Sequence, residues 1–409
     1  MGELYVLPEG WMLKTLSSVS KSINSGFACS KKYEVDDGYI HLRTHNISSN
    51  GSLNLDKVVY IPNDKVDSKK SIIQKDDILF NNTNSVELVG KTALVKEDAE
   101  YAYSNHITRI VVDKSEVSAA FVVYYMQLLH SQGYFERICK RWIGQAGVNN
   151  TLLKSLDIPL PPLQEQKRIV AKLDSLFERI DRTIALHQQN IDEAGALMGA
   201  VLDEVFGELE EKSAQLTMED VFFIERGGSP RPIKEYLTDL DDGINWIKIG
   251  DATKGDGKYI EHTEQKIKPE GLKKSRLVYE GDFIMSNSMS FGKPYIMKTK
   301  GAIHDGWLLM REKTNEVDKE FFYYLLSSDY MYCQFLNKAS GTTVKNLNIN
   351  LVKSSKIILP PLEVQQKTVQ YLDRIARETE KLKQVQQQKL RQLKELKASI
   401  LDRAFRGEL

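Results

Sequence analysis

Gly90-Lys91-Thr92 has the residue types that close a phosphate-cradling loop, but Ser85 stands where such a loop needs its first glycine. His41 and His45 are four residues apart, a spacing that would join two imidazoles on one metal if the segment were helical. The surrounding YIHLRTHNI instead reads as strand or loop, where that spacing does not converge, so no metal site is expected. No G-x-G-x-x-G turn opens a helix, and neither G-x-S-x-G nor H-E-x-x-H occurs. What the chain does offer are stretches dense in amide and hydroxyl groups, NNTNS at 81–85 and SNSMS at 286–290. These side chains donate and accept hydrogen bonds without breaking covalent ones. The chemistry expected is therefore binding, with no catalytic residues on this chain.

Both polar stretches sit in the same surroundings. DDILF (76–80) precedes the first and GDFIM (281–285) the second; Gly90-Lys91 follows one and Gly292-Lys293 the other. Asp37-Gly38-Tyr39-Ile40 parallels Asp242-Gly243-Ile244-Asn245 ahead of them. Glu116-Val117 with Phe121 and Tyr124 lies 200 residues before Glu316-Val317 with Phe321 and Tyr324, each opening an aromatic-rich helical pattern near 119–141 and 318–338. Two mixed α/β blocks of one fold and different surface are expected.

The segments after the blocks match more closely. Leu173-Asp174 falls on Leu372-Asp373, Leu202-Asp203 on Leu401-Asp402, and Phe206 on Phe405; both copies close with Gly-Glu-Leu. Each opens with a Pro pair (Pro161-Pro162, Pro360-Pro361) and then runs free of Pro, which allows one helix of roughly 40 residues or about 60 Å. In the first, Leu173, Phe177, Ile180, Ile184, His187, Ile191, Ala194, Met198, Val201 and Val205 keep an unbroken 4-3 spacing, a coiled-coil seam. In the second the spacing selects Leu372, Ile375, Thr379, Leu382, Gln386, Lys389, Leu393, Leu396 and Ile400. His187 is read as a seam residue. The expected architecture is α+β: two mixed α/β domains joined by two long antiparallel coiled-coil helices with a pseudo-twofold axis. Its parts are 1–157, 158–209, 210–356 and 357–409.

Composition narrows the class. At 409 residues there is room for two or three cores, and 41% hydrophobic with 27% charged residues is ordinary for globular proteins. Cys29, Cys139 and Cys333 are scattered, which fits reduced thiols in the cytoplasm rather than a disulfide frame. No apolar run reaches membrane-span length, so no membrane partner is expected. The formal net charge is zero, which excludes a protein that coats DNA by bulk charge. Residues 161–209 carry 5 basic and 9 acidic side chains and residues 357–409 carry 11 and 7, opposite balances that suit two helices lying side by side.

LPPLQEQ (160–166) leading into a long helix, answered by LPPLEVQQ (359–366), resembles the specificity subunit of type I restriction–modification enzymes. LPEGW (7–11), INWIKIGD (244–251) and SGTTVKNLN (340–348) belong to the same resemblance, which covers essentially the whole chain; EVQQ stands where the family pairs Glu with Gln. The resemblance implies that each block is a target recognition domain reading one half of a split sequence in double-stranded DNA. It implies that the helices set the spacing and dock two modification subunits, with restriction subunits able to join. It places S-adenosylmethionine in the modification subunits and ATP and Mg in the restriction subunits, none of them on this chain.

DNA reading needs Lys and Arg on phosphates and paired donors and acceptors at base edges. Phosphate candidates are Lys31, Lys32, Lys69, Lys70, Lys140 and Arg141 in the first block, and Arg231, Lys273, Lys274 and Arg276 in the second. Base-edge candidates are Asn81, Asn82, Thr83 and Asn84, and Asn287, Ser288 and Ser290. Gln145 and Asn149 in the first block and Thr342, Thr343 and Lys345 in the second lie just before the long helices, where they would clamp backbone. Trp142 and Trp246 are read as core residues rather than stacking platforms. The competing reading is a coiled-coil scaffold whose α/β domains bind proteins; zero net charge is its best argument.

Overall fold

A computed structural model describes residues 7–66, 72–213, 215–252, 257–287, 292–339, 347 and 349–409. The chain forms two compact units, Met1–His187 with Gln388–Leu409, and Gln188–Gln387. Two long helices, the central arm Leu163–Lys212 and the terminal arm Leu362–Phe405, contribute to both. They run 50 and 44 residues, the first past its Gly-Glu-Leu (207–209). The second copy of that tripeptide ends its helix because Gly407 takes φ +73°, a left-handed cap that suits a residue without Cβ. No helix among the described residues is long and apolar enough to cross a membrane.

In the first unit a four-stranded antiparallel sheet has the order Ser20–Ser25, Ile107–Val112, Ile78–Asn81, Thr92–Leu94. Beside it Tyr39–Leu42 pairs antiparallel with Tyr60–Ile61 and parallel with Ala102–Tyr103. The second unit repeats this topology. Its main sheet runs Phe222–Arg226, Trp307–Glu312, Phe283–Ser286, Pro294–Met297, with Tyr259–Ile260 added in parallel at the edge. Ile244–Ile247 takes the place of Tyr39–Leu42, antiparallel to Gln265–Ile267 and parallel to Gly301–Ile303. The same salt bridge ties both sheets: Arg109 to Asp77 at 2.6 Å and Arg311 to Asp282 at 2.5 Å, each carboxylate nearly buried.

Each block is clasped where it leaves the arms. Met12–Thr15 pairs antiparallel with Asp157–Leu160, and Gln215–Thr217 with Lys356–Ile358. The helical patterns after the sheets are both split. Ala119–Ser131 stops because Gly133 adopts φ +68°, and Tyr134–Ile138 resumes. The second pattern divides at Ser328 into Lys319–Ser327 and Asp329–Ala339.

The arms complete the core of each block. In the first unit Leu173, Phe177, Leu401 and Phe405 join the cluster of Leu16, Phe80 and Phe121, with Phe121 and Phe405 ring centroids 4.9 Å apart. In the second, Leu202, Phe206 and Leu372 join Phe222, Phe283 and Phe321, with Phe206 and Phe321 at 5.5 Å. Within the first unit the arms run antiparallel, since Arg168 donates to the Leu409 carbonyl and Asp181 pairs with Lys397.

The seam of the central arm follows the expected register, with Leu173, Phe177, Ile180 and Ala194 buried and Ile184, His187 and Ile191 half-buried. That of the terminal arm is corrected. Leu372, Thr379 and Gln386 are buried and Leu393 and Ile400 half-buried as expected, but Leu382 and Leu396 are 43% and 47% exposed. Ile375 is half-buried as expected, with Ala376 beside it, and Lys389 is exposed; from there the alternate positions are shifted by one, to Lys383, Leu390, Lys397 and Ala404. The reason is in the lysines. Lys397 lays its stem across Phe177, its Nζ 4.6 Å from the ring centroid, and carries its charge to Asp181 at 2.7 Å.

Candidate nucleic-acid interface

Each block meets its arm through one glutamine. Gln166, buried in the first turn of the central arm, accepts from the Ser118 N–H (2.9 Å) and donates to the carbonyls of Glu116 (3.2 Å) and Pro161 (2.9 Å). Gln365 does the same with Asp318 (2.8 Å), Glu316 (2.8 Å) and Pro360 (2.7 Å). The altered EVQQ motif therefore keeps the glutamine that matters. A little over two turns further along each arm, Tyr124 donates to Asp174 at 2.5 Å and Tyr324 to Asp373 at 2.6 Å. Burial, reinforced by the carboxylate, pushes both phenols well above their ordinary pKa, so both stay protonated donors.

The polar loops rest on a second shared device. Asn82 donates from Nδ2 to the Asn105 carbonyl (3.1 Å), and Asn287 donates to the Asp305 carbonyl (3.0 Å). Their own carbonyls accept from the N–H of Val148 and Leu347. Asn81 is also buried and donates to the Leu88 carbonyl at 3.3 Å. Asn81, Asn82 and Asn287 are thus largely buried, and their amides shape the loops from below. Thr83 donates to the Asn82 side chain, and Asn84 accepts from the Ser85 N–H, both half-buried.

Around this frame the blocks differ. In the first, Asn82 Nδ2 also bonds Thr108 (2.9 Å) and Ser25 (3.3 Å), and Asn150 bonds both hydroxyls. The strand registers put Arg226 and Leu308 where the first block has Ser25 and Thr108. Asn105, exposed, is matched by Asp305, whose carboxyl lies below the usual range, chiefly because the Ser229 hydroxyl donates to it (2.6 Å), with Arg231 nearby (3.2 Å).

The small network of the first block floors a cleft of about 310 Å³ lined by Ser25, Asn82, Thr83, Asn105, Lys140, Trp142 and Asn149. One wall is a hairpin, Lys140–Trp142 paired with Gln145–Gly147, whose second strand also pairs with Thr83–Asn84. Trp142 is 48% exposed, which overturns the expectation that it is core. Its indole lies over Gly147, where any Cβ would meet the ring at 2.8 Å, and its Nε1 donates to Gln145. Gly144, at the second position of the two-residue turn with φ +74°, is the one turn signal that the sequence carried here. Trp246 is core as expected.

Lys31, Lys32, Lys140, Lys273 and Lys274 are exposed and make no ion pair among the described residues. Arg141 is exposed and donates to the Glu136 carbonyl; Arg276 faces Glu225 at 3.6 Å. Asn149 is exposed but caps a short helix, accepting from the Leu152 N–H. Lys69, Lys70, Ser288, Ser290, Thr342, Thr343 and Lys345 lie outside the described residues. Among the described residues no group of His, Cys, Asp or Glu is placed to hold a metal; His41 is in a strand and His45 bonds the Lys57 carbonyl.

Residues 8–194 and 210–392 each match the family model described as the type I restriction modification DNA specificity domain. The chain is 26% identical over 425 residues to a putative type I restriction enzyme MjaX specificity subunit of Methanocaldococcus jannaschii, covering 100% of this chain and 95% of that one. It is 25% identical to the type I restriction enzyme EcoKI specificity subunit of Escherichia coli, covering 98% and 90%. Its fold matches a chain solved in work on complex assembly and conformational transition of a type I R-M system, with TM-score 0.79 and 24% identity over 99% of this chain and all of that one. It also matches the HsdS subunit of Thermoanaerobacter tengcongensis, with TM-score 0.57 and 23% identity over 99% of each chain.

Proposed function

The chain belongs to the type I restriction–modification DNA specificity family, and on that premise we propose that it reads an asymmetric, bipartite DNA target with one block per half-site. It is a non-catalytic component of its system: methyl transfer and cleavage belong to partner subunits. Two modification subunits dock on the arms, bringing S-adenosylmethionine; restriction subunits, where present, bring ATP and Mg.

One observation carries this reading. The two blocks share their frame residue for residue, in Gln166 and Gln365, Tyr124 and Tyr324, Asn82 and Asn287, yet at matched surface points they differ. Asn105 against Asp305 exchanges a neutral amide for an anion, and Ser25 against Arg226 exchanges a hydroxyl for a cation. Base edges are distinguished by donor and acceptor pattern, so such exchanges on a fixed frame support two unlike half-sites. A scaffold that binds proteins gives no reason for that combination.

A base-resolution methylation map of DNA from cells with and without this chain tests the proposal. The expected result is a split motif with unrelated halves and a fixed spacer, lost on deletion. Replacing residues 1–157 by another such block should then change one half only; a change in both refutes the one-block, one-half reading.

A further inference from the structure

Resting on that function, we propose that the Lys140–Trp142/Gln145–Gly147 hairpin is a wedge that opens one base step of the half-site read by the first block. Ile143 enters the base stack, and the base it displaces rests in the adjoining cleft against Trp142.

Three features of one small element converge on duplex DNA as its occupant. The first is the apex. Trp142 pairs directly with Gln145, so Ile143 and Gly144 alone form the turn, and Ile143 is 103% exposed. A scattered exposed apolar residue is unremarkable on its own. This one is held outward by a paired hairpin, with Gly144 at φ +74° and open space around it. A rigid apex has little conformational freedom left to lose on insertion. Apolar side chains of this kind are what minor-groove proteins push between base steps.

The second is charge. Lys140 and Arg141 stand exposed on the strand that rises to the apex. Phosphates flanking an opened step would meet them, and an apolar apex above two cations matches the apolar interior and anionic edge of a duplex. The third is the cleft beside the hairpin. Its volume of about 310 Å³, its indole wall and its floor of amide and hydroxyl groups match the two faces of a displaced base. The flat ring stacks on an aromatic, and the edge finds donors and acceptors. Gly147 keeps that wall in place, since a Cβ there would collide with the indole.

The test uses the complex assembled with its modification subunits, on duplexes carrying 2-aminopurine in turn at each position of the first half-site. Fluorescence of this base is quenched by stacking and rises on release. One position should brighten severalfold on binding. Ile143→Ala should return it to the free-duplex level, and its fold is safe because the side chain is wholly exposed. Trp142→Ala should brighten that position further, because the indole that quenches the displaced base is gone. Methylation is measured on the same duplexes. Methylation by the wild-type complex with no fluorescence change at any position overturns the wedge and leaves the specificity reading standing. A rise that survives Ile143→Ala also overturns it, as does failure of the Ile143→Ala chain to assemble with its partners, which would give the apex to a protein contact. A complex that methylates no split motif defeats the parent reading, and the wedge with it.

Discussion

Replacing Gln166 by Ala should loosen the first unit alone, and replacing Gln365 by Ala the second alone. Each glutamine makes three hydrogen bonds, two to the block it holds and one to the proline carbonyl just ahead of its own helix. Two of the partners, the Ser118 N–H and Glu116 carbonyl in the first unit, belong to residues water can reach, so each lost bond costs about 1 kcal/mol. The third, the Pro161 carbonyl, belongs to a buried residue and is left without a donor, which costs about 1–3 kcal/mol. The sum is about 3–5 kcal/mol, and the matching geometry at Asp318, Glu316 and Pro360 gives the same figure for Gln365. Hydrogen exchange read by mass spectrometry separates the two units in one experiment. Peptides from Ile107–Val112 and Ala119–Ser131 should lose protection by that amount in Gln166→Ala, while Trp307–Glu312 and Lys319–Ser327 stay unchanged; Gln365→Ala should reverse the pattern. The double variant should be the sum of the two, as for sites without shared partners. A loss below about 1 kcal/mol, or equal losses in both units from one substitution, would refute the latch.

The corrected seam predicts that Leu382→Gln and Leu396→Gln shift stability by less than about 0.5 kcal/mol, while Leu401→Ala costs about 2–5 kcal/mol, all by thermal melts. His41 is buried among apolar neighbours, and burial first, with Arg43 second, pushes its pKa down to about 4. The unfolded chain then binds the extra proton between about pH 6.5 and pH 4, so stability is full above that window and falls through it by about 3 kcal/mol. His41→Phe should flatten the acid limb of a pH-dependent melt; an unchanged limb would assign it elsewhere. Inserting one heptad in the central arm between 164 and 206 lengthens it by about 10.5 Å, which corresponds to about three base pairs. Methylation mapping should show the spacer altered and both half-sites intact, and an unaltered spacer would sink the role of the arms in setting it.

The duplicated frame was legible because its evidence is local and repeated. Pro pairs, 4-3 spacing and Gly-Glu-Leu each occur twice at an offset of 199 or 200 residues, and the first two report on helix start and seam directly. What escaped depended on partners distant in sequence. Gln166 was visible inside LPPLQEQ, but its role lies in a carbonyl and an N–H about 50 residues away, and Tyr124 and Asp174 are likewise 50 residues apart. The terminal seam was misread because apolarity favoured Leu382 and Leu396, whereas Lys397 takes a seam position by lying over Phe177 and pairing its charge with Asp181. Asn81, Asn82 and Asn287 were read by composition as surface recognisers. Amides serve buried loops equally well when every donor finds a carbonyl, and only the fold says which. Trp142 was judged by the usual burial of its type, and the small cleft beside it had no linear signature.

The arms share their residues between units unevenly, and this bears on how the chain is made. The second unit is one continuous run, Gln188–Gln387, whereas the first is interrupted and ends with Gln388–Leu409. Leu401, Ala404 and Phe405 belong to the first unit's core, packed with Leu16 and Phe121. During synthesis, then, the block translated first waits longest: its sheet and helices emerge early, but its apolar face stays uncovered until the last turns of the terminal arm leave the ribosome. The later block closes on itself sooner. A nascent chain of which residues up to about 390 have cleared the ribosome would hold a finished second unit and an unfinished first, with the greater exposure to aggregation at the older end.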